Sequence, residues 1–340
     1  MTPAELSRTV RHAVCRAVAD DALPGPVPER IVVERSRPGG RGEYATGIAL
    51  RLAGPAGRPA REVAEILRSR VDTTHGIARV EITGPGFLNF TLGQDSADGL
   101  VRTILRDPAR YGHGDALAGT VVTLAPADEP RAGLWTRTVV RLLRTQGAEA
   151  AVVPGAEERL AVVPAPDPAA LARLGPDAAR WALLRPAAHD RPYTGPDLLV
   201  QRESNPLFRV RYAYARTRAQ ARAAARLGIG SEPAEPGRPA TPGREPFGDG
   251  RPATPLLTAL GDHPAVLEAA ARLRAPDRLA RHLELTAEAF LRFQETCRPL
   301  PLGDEKPSAA HRSRTALAEA AGAVLAGGLS LLGVDAPEHL

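Results

Sequence analysis

The sequence predicts a multi-domain chain: an α+β domain, then a small α/β unit, then an all-α bundle. Three observations predict this order. Val80-Glu81-Ile82, Gly84-Pro85-Gly86 and Phe87 to Leu92 read as strand, tight turn and strand, with helical patterns on either side. Thr120 to Leu124, Leu134 to Gln146 and Ala150 to Val153 form one strand–helix–strand unit, its helix closed by Gly147. From Asn205 onward apolar residues recur at helical spacing and helices dominate.

Taken in order, Thr2-Pro3-Ala4-Glu5 supplies an N-cap, a proline at the first helical position and an acidic first turn, opening a helix to about Ala19. Ile31 to Arg35 reads as a short strand, and Tyr44 to Leu52 fits either period. Pro59 to Val71 places Val63, Ile66 and Leu67 on one helical face, and a further helix follows the Phe87–Leu92 strand to about Arg106. Residues 1–112 therefore form the first domain and 113–201 the second, where Ala161-Val162-Val163 is a possible third strand and Asp177 to Leu184 a short helix. The third domain, 202–340, has helices over 205–227, Pro264 to Arg274, Pro276 to Cys297 and Ser308 to Leu332. Between the first two lies a Pro/Gly-rich loop, 230–254.

The net charge of +5 and a pI near 9.7 favour a polyanionic partner. Lys306 is the only lysine among 44 basic side chains, and arginine suits phosphates and stacked bases better than lysine does. Cys15 and Cys297 give no CxxC, no zinc spacing and no disulfide framework, so a reducing cytoplasm is the expected location. Neither a signal peptide nor a transmembrane span is predicted.

The helix opened by Pro206 carries the strongest charge signal. From Arg202 to Gly228 there are seven arginines against one glutamate, Glu203. At 100° per residue, Arg211, Arg218, Arg222 and Arg226 fall within an arc of roughly 80°, bordered by Tyr212 and Tyr214. Val210, Thr217, Ala221 and Ala224 form the opposite, inward face. Such a stripe suits a nucleic-acid strand, guanidinium groups taking phosphates and rings stacking on bases. It equally suits a solvated basic face whose tyrosines finish the core.

The run Asn205-Pro206-Leu207-Phe208, Val210, Tyr212-Ala213, Ala215-Arg216 resembles the helix that opens the anticodon-binding domain of arginyl-tRNA synthetases. Other blocks follow that family in the same order. Gly42-Glu43-Tyr44-Ala45-Thr46-Gly47 with Ile48 to Leu52 resembles its G-D-Y-A-T-N block, and Gly84-Pro85-Gly86-Phe87-Leu88-Asn89-Phe90 its G-P-G-F-I-N-F turn. Leu174-Gly175-Pro176-Asp177-Ala178-Ala179-Arg180 is similar to the segment after its active site. Leu279 to Cys297 resembles the central anticodon-domain helix, and Gly327 to Glu338 the family's end. The resemblance implies a class I nucleotide-binding fold for the small α/β unit, here a truncated remnant, and a DALR-type helical bundle for the third domain. It also implies tRNA as partner, with Phe87 and Asn89 meeting the D-loop, an aromatic to stack and an amide to read a base edge. From the residues alone, Phe87 equally reads as core and Asn89 as a strand-turn partner. On the helix, the tRNA contacts would be Arg209, Arg211, Tyr212, Tyr214, Arg216, Arg218 and Arg222. Arg209, Arg211 and Tyr214 stand where the family has tyrosine, glutamine and histidine, and Gln294 where it has tyrosine.

A class I synthetase binds ATP through H-I-G-H histidines at a helix N-terminus and usually through a K-M-S-K-S lysine. Residues 125–137 contain no histidine, and Lys306 lies far downstream. No GxGxxG or GxxxxGK[ST] motif replaces them. Asp128-Glu129 reads as an exposed turn, and His113 between glycines as a loop residue. No catalytic or metal-binding residue and no cofactor is expected, ATP entering only if the chain is an arginine-tRNA ligase. The sequence thus predicts a cytoplasmic, tRNA-binding pseudoenzyme related to arginyl-tRNA synthetase, with no DNA or membrane partner. The alternatives are a minimal ligase and a bundle reused to bind a protein such as a synthetase.

Overall fold

The computed structural model describes residues 3–28, 31–36, 41–71, 77–92, 94–165, 168–230 and 253–340. The chain divides into two compact units, residues 1–100 and 101–340.

The first unit holds α1 (Pro3–Ala19), β1 (Glu34–Arg35), β2 (Tyr44–Thr46), α2 (Ile48–Ala56), α3 (Ala60–Val71), β3 (Ile77–Thr83) and β4 (Phe87–Leu92). The four strands form one antiparallel sheet in the order β1-β2-β4-β3. Its core joins Leu6, Val10 and Val14 of α1 to Ile48 of α2, Val63 and Leu67 of α3, and Leu88 and Phe90 of β4. The β3–β4 turn works because Gly84 and Gly86 adopt φ of 52° and 143°. At Gly86 a Cβ would also sit 2.8 Å from the Ala60 carbonyl oxygen, so the turn packs backbone to backbone on the start of α3. The ambiguous stretch from Tyr44 resolves into a strand and a helix separated by Gly47. Only Glu34 and Arg35 of the expected Ile31–Arg35 strand pair as such. The Val32 carbonyl is taken instead by Thr46 Oγ1 at 2.6 Å.

α4 (Gln94–Arg106) spans the boundary between the units. The second unit continues with β5 (Val121–Leu124), α5 (Pro130–Thr145), β6 (Glu149–Val152), α6 (Pro168–Leu184), α7 (Pro206–Arg226), α8 (Thr254–Arg272), α9 (Pro276–Thr296) and α10 (Ala309–Leu332). β5 and β6 pair in parallel, completing the expected strand–helix–strand unit. Residues 161–163 add no strand. The Val163 N–H goes to Ala188 O at 2.8 Å and its carbonyl to the Arg131 guanidinium at 2.7 Å, which leaves nothing for a ladder. β5 gains only a bridge at Glu158.

The α/β stretch, read from sequence as a domain of its own, lies in the same compact unit as the helices. Trp135 of α5 is buried and donates Nε1–H to Arg274 O beyond α8 at 2.8 Å. α6 begins earlier than expected and kinks at Gly175 (φ 71°). α8 begins at Thr254 and runs through Pro264, because Leu256 and Leu260 already pack at helical spacing upstream of the proline. The remainder of the expected loop, 231–252, lies outside the described residues. α10 is long and apolar enough to cross a membrane by composition, yet two-thirds of that window is buried against neighbouring helices. That is the behaviour of a central core helix.

Candidate RNA-binding surfaces

In the first unit the β3–β4 turn borders a cleft of about 470 Å³. Phe87 lines it with 41% of its surface exposed, held against Gly47, where a Cβ would come within 3.3 Å of the ring. Asn89 also lines the cleft but is only 6% exposed. Its Nδ2 donates to Thr83 Oγ1 at 2.8 Å and to the Glu81 and Phe87 carbonyls at 3.3 Å, which spends the amide donor on fixing the turn. Among the described residues its Oδ1 accepts no hydrogen bond. Arg35 and Arg51 complete the wall. Sequence reading missed both, because they come from different elements and no local spacing links them to the turn.

In the second unit, α7 begins where Asn205 caps it. Its Oδ1 accepts from Leu207 N and Phe208 N, and its Nδ2 reaches the Leu198 and Val200 carbonyls at 2.7 and 3.0 Å. That explains the Asn-Pro opening structurally, with no ligand needed. Val210, Thr217 and Ala224 are buried as the inward face.

The predicted contact residues separate into three groups. Tyr212 is 39% exposed and stacks on Phe208, ring centroids 5.7 Å apart and 20° from coplanar. With Arg216 exposed one turn later, this forms an open aromatic and cationic platform. Phe208 was missed as a site residue, although its i,i+4 spacing to Tyr212 was readable. Tyr214, by contrast, is buried and 9% exposed, and Arg209 is half-buried with a buried Nε that has no hydrogen-bond partner. The third group already holds anions. Arg211 pairs with Asp177 of α6 and donates Nε–H to Asp335 O at 3.0 Å. Arg218 and Arg222 share the Glu338 carboxylate at 3.0 and 3.3 Å. Gln294 accepts from Gln220 Nε2 at 3.0 Å and from Arg216 Nε at 3.4 Å, tying α9 to α7.

The start of α5 is where a nucleotide site would begin in the fold that the sequence resembles. Here Glu129 caps the helix, its carboxylate accepting from Ala132 N at 2.7 Å and Ala165 N at 2.8 Å. Burial works against that charge, but the N–H donors of Ala165, Ala132 and Arg131 outweigh it and hold the pKa below the ordinary value. Two residues after the cap, Arg131 is fully buried. Its guanidinium donates to five carbonyls, those of Leu183, Val163, Asp190, Pro186 and Ala187, at 2.7–3.0 Å. It also lies 5.1 Å from the Trp135 ring centre. Chain segments thus fill the space in front of this helix end.

Residues 4–92 match the arginyl tRNA synthetase N terminal domain and residues 210–340 the DALR anticodon binding domain. An arginine–tRNA ligase of Frankia alni is 28% identical over 561 aligned positions that take in 100% of both chains. Those positions far outnumber the 340 residues present here, so the relative carries a long stretch without counterpart. An arginine–tRNA ligase of Paenarthrobacter aurescens is 41% identical over 169 residues, 49% of this chain but only 29% of the relative. Thermus thermophilus arginyl-tRNA synthetase shares the fold at a TM-score of 0.67 and 13% identity, with 100% of each chain covered. The chain belongs to the arginyl-tRNA synthetase family, carrying that family's N-terminal domain and its DALR anticodon binding domain.

Proposed function

We propose that this protein is a cytoplasmic tRNA-binding relative of arginyl-tRNA synthetase that does not aminoacylate. The observation that carries the second half of this reading is the capped start of α5. A triphosphate needs free N–H groups at such a helix end, and here the Glu129 carboxylate already takes that of Ala132. A second anion would meet like charge. The missing histidines in 125–137 and the long unmatched stretch of the Frankia relative support the same conclusion.

tRNA binding is supported by the DALR match together with the platform of Phe208, Tyr212 and Arg216 and the adjoining arginine stripe. The cleft beside Phe87 offers a second aromatic contact. Arginine-dependent exchange of pyrophosphate into ATP tests the catalytic half. We expect none above the no-arginine control; a clear signal would make the chain a minimal ligase.

A further inference from the structure

Two guanidinium groups meet at Gly333. Arg141 of α5 places its Nη atoms 3.2 and 3.3 Å from where a Cβ on Gly333 would lie. Arg180 of α6 donates to the Gly333 carbonyl at 2.8 Å. Arg137, exposed, precedes Arg141 by one turn on the same face of α5, its Nη1 3.4 Å from where a Cβ on Gly133 would lie. Asp177 is the one carboxylate that pairs with this group among the described residues, and Arg180 shares it with Arg211.

Arg141 is the anomaly. Its hydrogen bonding among the described residues amounts to Nη2 donating to Thr138 Oγ1 at 3.1 Å, and its buried Nε has no partner. Burial first, and then the charges of Arg180 and Arg137, push its pKa down. A guanidinium cannot shed its proton at neutral pH, so deprotonation does not relieve that strain. A bound anion does. The group opens to solvent at Arg137 and at Arg180, whose side chain is 42% exposed.

We propose that Arg141 and Arg180, which meet at Gly333, form a binding site for a phosphate group together with Arg137, one turn before Arg141 on α5. Guanidinium forks match phosphate oxygens in pairs, and three of them supply the charge that Asp177 does not. The phosphate could belong to a small phosphorylated compound or to an RNA backbone, and the two sources separate by experiment.

Thermal unfolding of the full chain in millimolar inorganic phosphate, against chloride at equal ionic strength, tests the site. Wild type should gain stability in phosphate, Arg141→Met should lose that gain relative to its own baseline, and Arg137→Gln should reduce it. Arg137 is exposed, so its variant carries the test if Arg141→Met fails to fold. An absent phosphate gain, or an equal gain in wild type and Arg137→Gln, overturns the site. A second arm measures the salt dependence of total-tRNA binding. A slope lowered by about one phosphate in Arg137→Gln assigns the phosphate to RNA, and an unchanged slope assigns it to a small compound. The inorganic-phosphate arm stands whether or not the protein binds RNA.

Discussion

Arg218 of α7 is held by Glu338, Nε to Oε1 at 3.0 Å, by a residue 120 positions further along the chain. The same carboxylate reaches Arg222, so one acidic side chain sits where an RNA phosphate would bind two arginines. Both partners are partly exposed, and pairs of this kind contribute about 0–1 kcal/mol. RNA can therefore displace it at small cost.

Glu338→Gln should accordingly tighten tRNA binding by roughly two- to five-fold at low salt, the size of one weak ion pair released. The gain should fade as salt screens the stripe. Filter binding at two ionic strengths reads this directly, and weaker binding by the variant would place Glu338 on the RNA side of the contact.

Phe87 and Asn89 should part company. Phe87→Ala removes a half-exposed ring and should weaken RNA binding while leaving the melting temperature nearly unchanged. Asn89→Ala strips the β3–β4 turn of three hydrogen bonds and should lower stability by about 1–3 kcal/mol. Equal stability losses in both would show that the ring is structural.

Arg131→Met should destabilise the protein by about 3 kcal/mol or more, since five carbonyls lose their guanidinium donor and, among the described residues, only that of Ala187 keeps another, Asp190 N at 2.9 Å. Lysine has three donors on a point charge and should recover part of the loss. Urea unfolding of the three proteins ranks them, and a neutral Arg131→Met would mean that water replaces the guanidinium.

Stability should fall as pH drops below about 6.5. His263 of α8 is buried, stacked 5.8 Å from Tyr111 and 5.3 Å from His282 of α9. Burial, then the charges of His282 and His113, push its pKa well below 6.5. The unfolded chain therefore takes up a proton near 6.5 that the folded chain refuses. The stability is fully present above 6.5 and is lost as pH falls through the window down to the depressed folded value, at up to about 1.4 kcal/mol per pH unit. His263→Phe should flatten that slope in denaturant titrations between pH 7.5 and 5, and an unchanged slope would assign it elsewhere.

Local signals served the fold well and the site unevenly. Gly84-Pro85-Gly86 and the Asn205-Pro206 cap were legible because backbone geometry dictates their residue types. Ala161-Val162-Val163 misled because its pattern is β-like, while a distant arginine, Arg131, takes the carbonyl that a ladder needs. The arginine stripe was legible as a helical face, but its partners, Asp177 and Glu338, come from distant positions that periodicity cannot reach. The pairing of Tyr212 with Phe208 rather than with Tyr214 depended on which way α7 turns its buried face.

In the function proposed above, α7 grips RNA through Arg216, Arg218 and Arg222 and the Tyr212 platform. Equilibrium binding of total tRNA across a salt series, for wild type and for Arg216→Glu/Arg218→Glu/Arg222→Glu, tests it most directly. Log affinity should fall linearly with log salt for wild type, and the variant, still folded, should bind at least about ten-fold more weakly with a shallower slope. Binding that is unchanged in affinity and slope by the three reversals, or absent even at low salt, would contradict it.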